Sequence, residues 1–94
     1  MRFFVIVNPK SGKQKSLSIV DKIRPIFESS GISLSILETK YQGNAKQIVQ
    51  TMDFDTINAI LVVGGDGTLN EVVNGMLNRN DNLKLPIGII PGGS

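Results

Sequence analysis

The chain has 94 residues, 40% of them apolar, and contains neither cysteine nor histidine. This length supports one hydrophobic core, so we expect a single domain over residues 1–94. The missing side chains exclude disulfide scaffolds, thiol nucleophiles, histidine bases and zinc sites built on sulfur or imidazole. The longest apolar runs, residues 3–7 and 59–63, have five residues each. A bilayer span needs about 20, so we expect a cytoplasmic protein without a transmembrane segment.

The net charge of +2 is unevenly divided along the chain. Residues 1–46 carry eight Lys and Arg against three acids, a net +5, whereas residues 47–94 carry two against five, a net −3. The basic half favours an anionic partner. We do not expect nucleic acid, because the chain has one tyrosine, no tryptophan and only isolated lysines.

The predicted elements alternate between strands and helices. Residues 2–8 and 58–63 contain continuous apolar runs, typical of strands covered on both faces, whereas apolar residues alternate with serines over 32–38, as in an edge strand. Residues 86–90 form a fourth predicted strand, entered through a proline. Helical spacing predicts helices over 15–30, 45–52 and 69–77, and Pro25 should kink or split the first of them.

This order of elements predicts an α/β fold. We expect a three-layer, doubly wound parallel sheet, similar to a Rossmann fold, with right-handed crossovers and strand order 2-1-3-4. The winding direction then changes between the first and third strands. Ligands bind at the carboxyl ends of strands at such a point, so the loops there are the candidate site.

The loop at residues 64–68, with sequence Gly-Gly-Asp-Gly-Thr, opens the third helix and predicts an anion site. It matches neither a P-loop nor a dinucleotide fingerprint, in which Asn70 would be glycine. A carboxylate among phosphates requires a cation or a proton to transfer. Asp66 therefore indicates Mg²⁺-assisted phosphoryl chemistry, as a metal ligand either directly or through water.

Four residues in or next to this loop have further predicted roles. Thr68 and Glu71 have the spacing of a capping box, in which each side chain bonds the other residue's backbone. Asn70 is not needed for capping and would lie beside the anion site. We expect Gly67 to allow close approach of a phosphate or to adopt positive φ.

Two other loops share this edge of the sheet with the anion site. The loop after the first strand offers amides, a hydroxyl and an ammonium group for a second phosphate contact, although an ordinary turn would have the same composition. Thr39 ends the second strand, where an exposed turn hydroxyl is the alternative. Residues 91–94 form a third glycine-bearing loop, and together the loops predict a nucleotide cradle.

The motifs at residues 7–12, 64–75 and 90–94, at these separations, resemble the catalytic domain of diacylglycerol kinases and related lipid kinases. The resemblance spans the whole chain. It implies the nucleotide-binding lobe of a two-lobe kinase that transfers phosphate from ATP, with Mg²⁺, to a lipid hydroxyl. The ATP-binding residues that it implies are Asn8, Pro9, Lys10, Ser11, Gly12, Thr39, Gly65, Asp66, Gly67, Thr68, Leu69, Asn70, Glu71 and Ser94.

The resemblance also implies partners and a location. The family's general base and metal-binding acids lie in a second, β-rich lobe, so no catalytic residue is expected in this chain. The substrate would be a lipid alcohol at a membrane surface, with the protein cytoplasmic and peripheral, and a homodimer is compatible with this. Two positions depart from the family: Ser94 stands where bacterial members usually have threonine, and Asn44 where histidine is common.

Two alternatives to a lipid kinase remain open. NAD kinases share a Gly-Gly-Asp-Gly loop, although the residues around Asn8 and the segment 68–73 favour the lipid kinases. The chain could instead be a non-catalytic, truncated module that binds nucleotide weakly, or a partner through a sheet edge.

Overall fold

Four parallel strands and three helices alternate along residues 1–10 and 15–91, the part of the chain that the computed structural model describes. They are β1 (Arg2–Val7), α1 (Lys15–Ser29), β2 (Ser33–Glu38), α2 (Asn44–Thr51), β3 (Ala59–Gly64), α3 (Asp66–Leu77) and β4 (Ile87–Pro91). The sheet has the order β2-β1-β3-β4, and every neighbouring pair is parallel. The predicted α/β fold and strand order are confirmed.

The core lies in two clusters, one on each face of the sheet. Alternate residues of β1 and β3, among them Ile6 and Val62, pack against α2 and α3. The residues between them, such as Val5 and Val63, pack against α1 on the opposite face. Strands covered on both faces must be apolar at every position, which explains the continuous apolar runs of β1 and β3. The three predicted layers are present.

Helix α1 runs without interruption through Pro25, so the predicted split is wrong. Pro25 is exposed, and the helical hydrogen bond that it removes lies on the water side. The helix ends as expected at a glycine, because Gly31 has φ +79°. The Gly31 N–H bonds the Glu28 carbonyl and the Ile32 N–H bonds the Phe27 carbonyl, both at 3.0 Å.

Within the described residues, no helix combines the length and apolarity needed to cross a membrane.

Helix α3 buries a narrower stripe than its apolar spacing predicts. Val72, Gly75 and Met76 are buried, whereas Val73 and Leu77 lie on the exposed side, with 63% of Leu77 accessible. The helix contacts α2 through Gly75. Because a glycine forms this contact, the two helices lie close together, and Val73 and Leu77 turn away from their interface.

Candidate functional site

A single residue, Gly65, separates the end of β3 from the start of α3 at the carboxyl edge of the sheet. Gly65 is the N-cap residue, with extended backbone (φ −102°, ψ −170°), and the Leu69 N–H bonds the Gly65 carbonyl at 3.2 Å. The N–H groups of the first three helical residues, 66–68, precede that bond, so they have no acceptor within the helix. Among residues 1–10 and 15–91, no side chain caps this helix start. Three N–H groups without helical acceptors, at the positive end of a helix dipole, suit a phosphate group.

Gly67 lies in this first turn with open space beside it. A Cβ added at Gly67 would meet no atom within 4 Å. Among the described residues, the glycines with positive φ are Gly31 and Gly43, so the expectation of positive φ at Gly67 is wrong. The other role predicted for Gly67, close approach of a phosphate to the backbone, stays a prediction. Asp66 precedes it, exposed, as the acidic residue of the first turn.

The capping box predicted between Thr68 and Glu71 is also wrong. Because α3 begins at Asp66, Thr68 is already inside the helix and buried. Glu71 instead reaches the neighbouring helix, where its Oε1 accepts a hydrogen bond of 3.2 Å from the Ala45 N–H. Ala45 belongs to the first turn of α2, so the carboxylate lies at the N-terminus of that helix. A negative charge is favourable there.

The loop after β1 is held by Asn8. Its backbone N–H bonds the Val63 carbonyl on β3 at 3.2 Å, and its Oδ1 accepts from the Lys10 N–H at 3.0 Å. Its carbonyl accepts from the buried Ser16 hydroxyl at 2.6 Å. Asn8 therefore shapes the turn that carries Pro9 and Lys10.

A cavity of about 280 Å³ opens where β1 and β2 end. The structure brings together three predicted residues there, Asn8, Lys10 and Thr39. The Thr39 N–H bonds the Val7 carbonyl at 2.9 Å, which continues the pairing of the two strands. Sequence reasoning missed the remaining lining residues, Lys40, Tyr41 and Gln42. Their position directly after Thr39, before a helix, was the available signal.

Gly64 lies between Asn8, which lines this cavity, and the start of α3. A Cβ added on Gly64 would lie 3.2 Å from the Thr68 Oγ1 and 3.7 Å from the Asn8 Cβ, so this position lies between the two loops. Strand β1 separates β2 from β3. The ends of β2 and β3 are therefore about 10 Å apart, two strand spacings.

The other predicted site residues are more dispersed. Leu69 packs against the core cluster beneath α3, and Asn70 is exposed, with its carbonyl and Oδ1 accepting from the Asn74 amide. Ser11, Gly12 and Ser94 lie outside the described residues.

Among the described residues, the charged groups at this edge have both signs. Lys10 and Lys40 line the cavity, Glu38 ends β2, and Asp66 stands at the start of α3. In residues 1–10 and 15–91, no three carboxylate, thiol or imidazole side chains group to hold a metal ion. Mg²⁺ is commonly held by one or two carboxylates together with substrate phosphates, so Asp66 alone fits such a role.

Comparison with known proteins identifies the family. Residues 2–94 match the diacylglycerol kinase catalytic domain, and the chain belongs to that family. It is 47% identical to sphingosine kinase 1 of Arabidopsis thaliana, with 99% of this chain and 20% of that protein covered. It is 42% identical to the mitochondrial acylglycerol kinase of Homo sapiens, with 95% of this chain and 22% of that protein covered.

A solved structure agrees with the fold. A diacylglycerol kinase from Bacillus anthracis str. Sterne superposes with a TM-score of 0.77 at 36% identity, covering 98% of this chain and 33% of that one. The chain thus spans about a fifth of the length of the curated relatives and a third of the solved protein.

Proposed function

We propose that this chain is the nucleotide-binding part of a lipid kinase, which holds ATP while its terminal phosphate is transferred to a lipid hydroxyl. The observation that carries the proposal is the start of α3, where the N–H groups of residues 66–68 have no acceptor within the helix and a Cβ added at Gly67 would meet no atom within 4 Å. The relatives support the acceptor class, because they are kinases of sphingoid bases, acylglycerol and diacylglycerol. They favour a lipid kinase over an NAD kinase.

In this proposal the nucleotide occupies two places. The phosphates bind at the N–H groups of residues 66–68, and the cavity between β1 and β2 receives the rest of the molecule. Lys10 and Lys40 add positive charge to this cavity, which favours an anionic ligand at this edge of the sheet. Asp66 would hold Mg²⁺, which neutralises phosphate charge when bound. Leu69 and Glu71 fix the position of α3. Leu69 packs against the core cluster, and Glu71 accepts a hydrogen bond from α2.

The lipid acceptor places the complete reaction at a membrane surface, with the protein peripheral to it. A further lobe of the same protein would position the lipid, since phosphoryl transfer requires both reactants to be aligned. A chain that only binds nucleotide is the second candidate, and a transfer assay separates it from the first.

The test of nucleotide binding is an amide-resolved titration by NMR with ATP and Mg²⁺. We expect the largest shifts at the backbone N–H groups of Asp66, Gly67 and Thr68, with smaller ones at Lys10 and Thr39. Shifts confined to other surfaces would refute the placement.

Gly67→Ala tests the same placement by affinity. A methyl group at Gly67 would occupy the space that a phosphate needs, so the substitution should weaken ATP binding by about 1–3 kcal/mol, the value of displaced charged hydrogen bonds. The fold should be unharmed or stabilised by up to about 1 kcal/mol, because alanine favours the helix and meets no atom within 4 Å. Unchanged ATP affinity in the folded variant would contradict the proposal.

A further inference from the structure

Tyr41 lines the cavity at the ends of β1 and β2, and the phosphate site proposed above does not use its aromatic ring. Tyr41 lines both this cavity, of about 280 Å³, and a groove of about 780 Å³ that shares Thr39 and Lys40 with it. Tyr41 is 56% exposed, although large aromatic side chains are usually more buried. An accessible aromatic ring beside two lysines and a hydroxyl offers a flat surface to a ligand with a planar, apolar part.

Both ends of Tyr41 are fixed to the first turns of α2. Its hydroxyl donates to Gln47 Oε1 at 2.5 Å, and its carbonyl accepts from the Asn44 N–H at 3.1 Å. Asn44 Oδ1 accepts in turn from the Lys40 N–H at 2.8 Å. The start of α2 is itself attached to α3 through Glu71. The ring is therefore held in place before a ligand arrives, which lowers the entropic cost of a contact with it.

The position of Tyr41 suits the base of a nucleotide. The ends of β2 and β3 are about 10 Å apart. If the phosphates bind at the start of α3, next to the end of β3, an extended nucleotide crosses the end of β1. Its base then lies over the loop after β2. Resting on the proposed function, we propose that the base stacks on the Tyr41 ring. Stacking accepts any base, because every base has a π-face. Tyr41 would then distinguish nucleotides from inorganic triphosphate, without selecting among bases.

Tyrosine fluorescence can detect this contact without a label. Tyr41 is its single tyrosine, and there is no tryptophan, so tyrosine emission reports on this one ring. With Mg²⁺ present, we expect ATP and GTP to quench the emission with saturation, and inorganic tripolyphosphate to leave it almost unchanged. N-acetyltyrosinamide, titrated in parallel, corrects for the light that the bases absorb. Equal quenching by tripolyphosphate, or no quenching by bound ATP, would overturn the inference.

Two variants separate stacking from a general effect on the site, with affinities measured by calorimetry. Tyr41→Leu should weaken ATP about tenfold and leave tripolyphosphate unchanged, because stacking contributes about 1–3 kcal/mol per base. Tyr41→Phe is the matched control, which keeps the ring and loses the bond to Gln47, and should bind ATP nearly as well as the original chain. Both changes are at an exposed position, and circular dichroism checks that the fold is retained.

The outcomes for the inference and for the proposed function are distinguishable. If the original chain binds ATP and Tyr41→Leu binds it equally well, the stacking inference fails and the proposed function stands. If Tyr41→Leu weakens ATP and tripolyphosphate to the same degree, the inference also fails, because the loss does not involve the base. If the original chain binds neither ligand, the proposed function is overturned and the inference with it.

Discussion

At the scale of single residues, the carboxylate of Glu71 makes a different contact from the capping box that its spacing from Thr68 predicts. Three residues separate Thr68 from Glu71, as in a capping box, but Gly65 begins the helix earlier. The Glu71 side chain instead accepts a hydrogen bond from the N–H of Ala45, a fully buried residue of α2 that lies 26 positions away. Glu71 thus stabilises a helix start in a different element from its own.

Substitutions of Glu71 should reveal this role in the free energy of unfolding. Glu71→Ala leaves the buried Ala45 N–H without a partner and should cost about 1–3 kcal/mol. Glu71→Gln keeps an acceptor and loses only the charge at the helix N-terminus, which should cost about 0.3–1 kcal/mol. Urea unfolding without nucleotide measures both. Equal stabilities of the two variants would show that the hydrogen bond to Ala45 contributes nothing.

At the scale of elements, α2 and α3 meet at Gly75. A Cβ added there would lie 2.6 Å from the Lys46 carbonyl oxygen and 3.0 Å from the Val49 Cβ, both on α2. The first of these atoms is backbone, so relief requires the helices to separate. We expect Gly75→Ala to destabilise the chain by about 1–3 kcal/mol, although alanine favours a helix by about 1 kcal/mol over glycine.

Val73→Ala is the control for Gly75→Ala, since Val73 lies on the exposed side of the same helix. Its effect on unfolding should stay within about 0.5 kcal/mol. A stabilised Gly75→Ala variant would mean that the two helices are free to move apart.

The other end of α2 is held by Arg79, whose side chain is only 5% exposed. Its Nη1 donates to the carbonyls of Val49 at 2.8 Å and Met52 at 2.6 Å. The guanidinium carbon lies 3.5 Å from the centre of the Phe54 ring, and two hydrogen bonds of 3.0 and 2.6 Å join the group to the Asp81 carboxylate. A buried cation is thus fully paired, and it completes the C-terminus of α2.

This pairing predicts a dependence of stability on pH. The Arg79 hydrogen bonds, and then that from the Leu83 N–H, hold the pKa of Asp81 below its usual 3.8. A pKa lowered by folding stabilises the chain above the usual value, and this contribution disappears as the pH falls through the lowered one. The free energy of unfolding lost in Asp81→Asn should be constant above about pH 5 and shrink below about pH 4. Urea unfolding between pH 2 and 7 measures the difference, and an equal loss at both extremes would refute it.

At the scale of the whole molecule, the strand order was predictable because the strands differ in pattern. The apolar runs of β1 and β3 require cover on both faces, the alternation in β2 requires an edge, and right-handed crossovers then leave the order 2-1-3-4. The helix start that we propose as an anion site was predictable because a glycine loop follows a buried strand. The contacts of Glu71, Arg79 and Tyr41 were not, because each joins residues whose proximity only the folded chain creates.

The chain holds part of the machinery that a lipid kinase needs. It spans about a fifth of Arabidopsis thaliana sphingosine kinase 1, and in the described residues Asp66 is the acid at the start of α3. One carboxylate cannot easily hold a metal ion and also take the proton of an acceptor. We therefore expect the 94-residue chain to bind ATP without transferring phosphate to sphingosine or diacylglycerol in mixed micelles. Replacing the matching fifth of that relative with this chain should yield active sphingosine kinase, and Asp66→Asn should inactivate the hybrid while leaving it folded. Turnover of labelled ATP by the 94-residue chain alone, abolished by Asp66→Asn, would instead make this chain a complete enzyme.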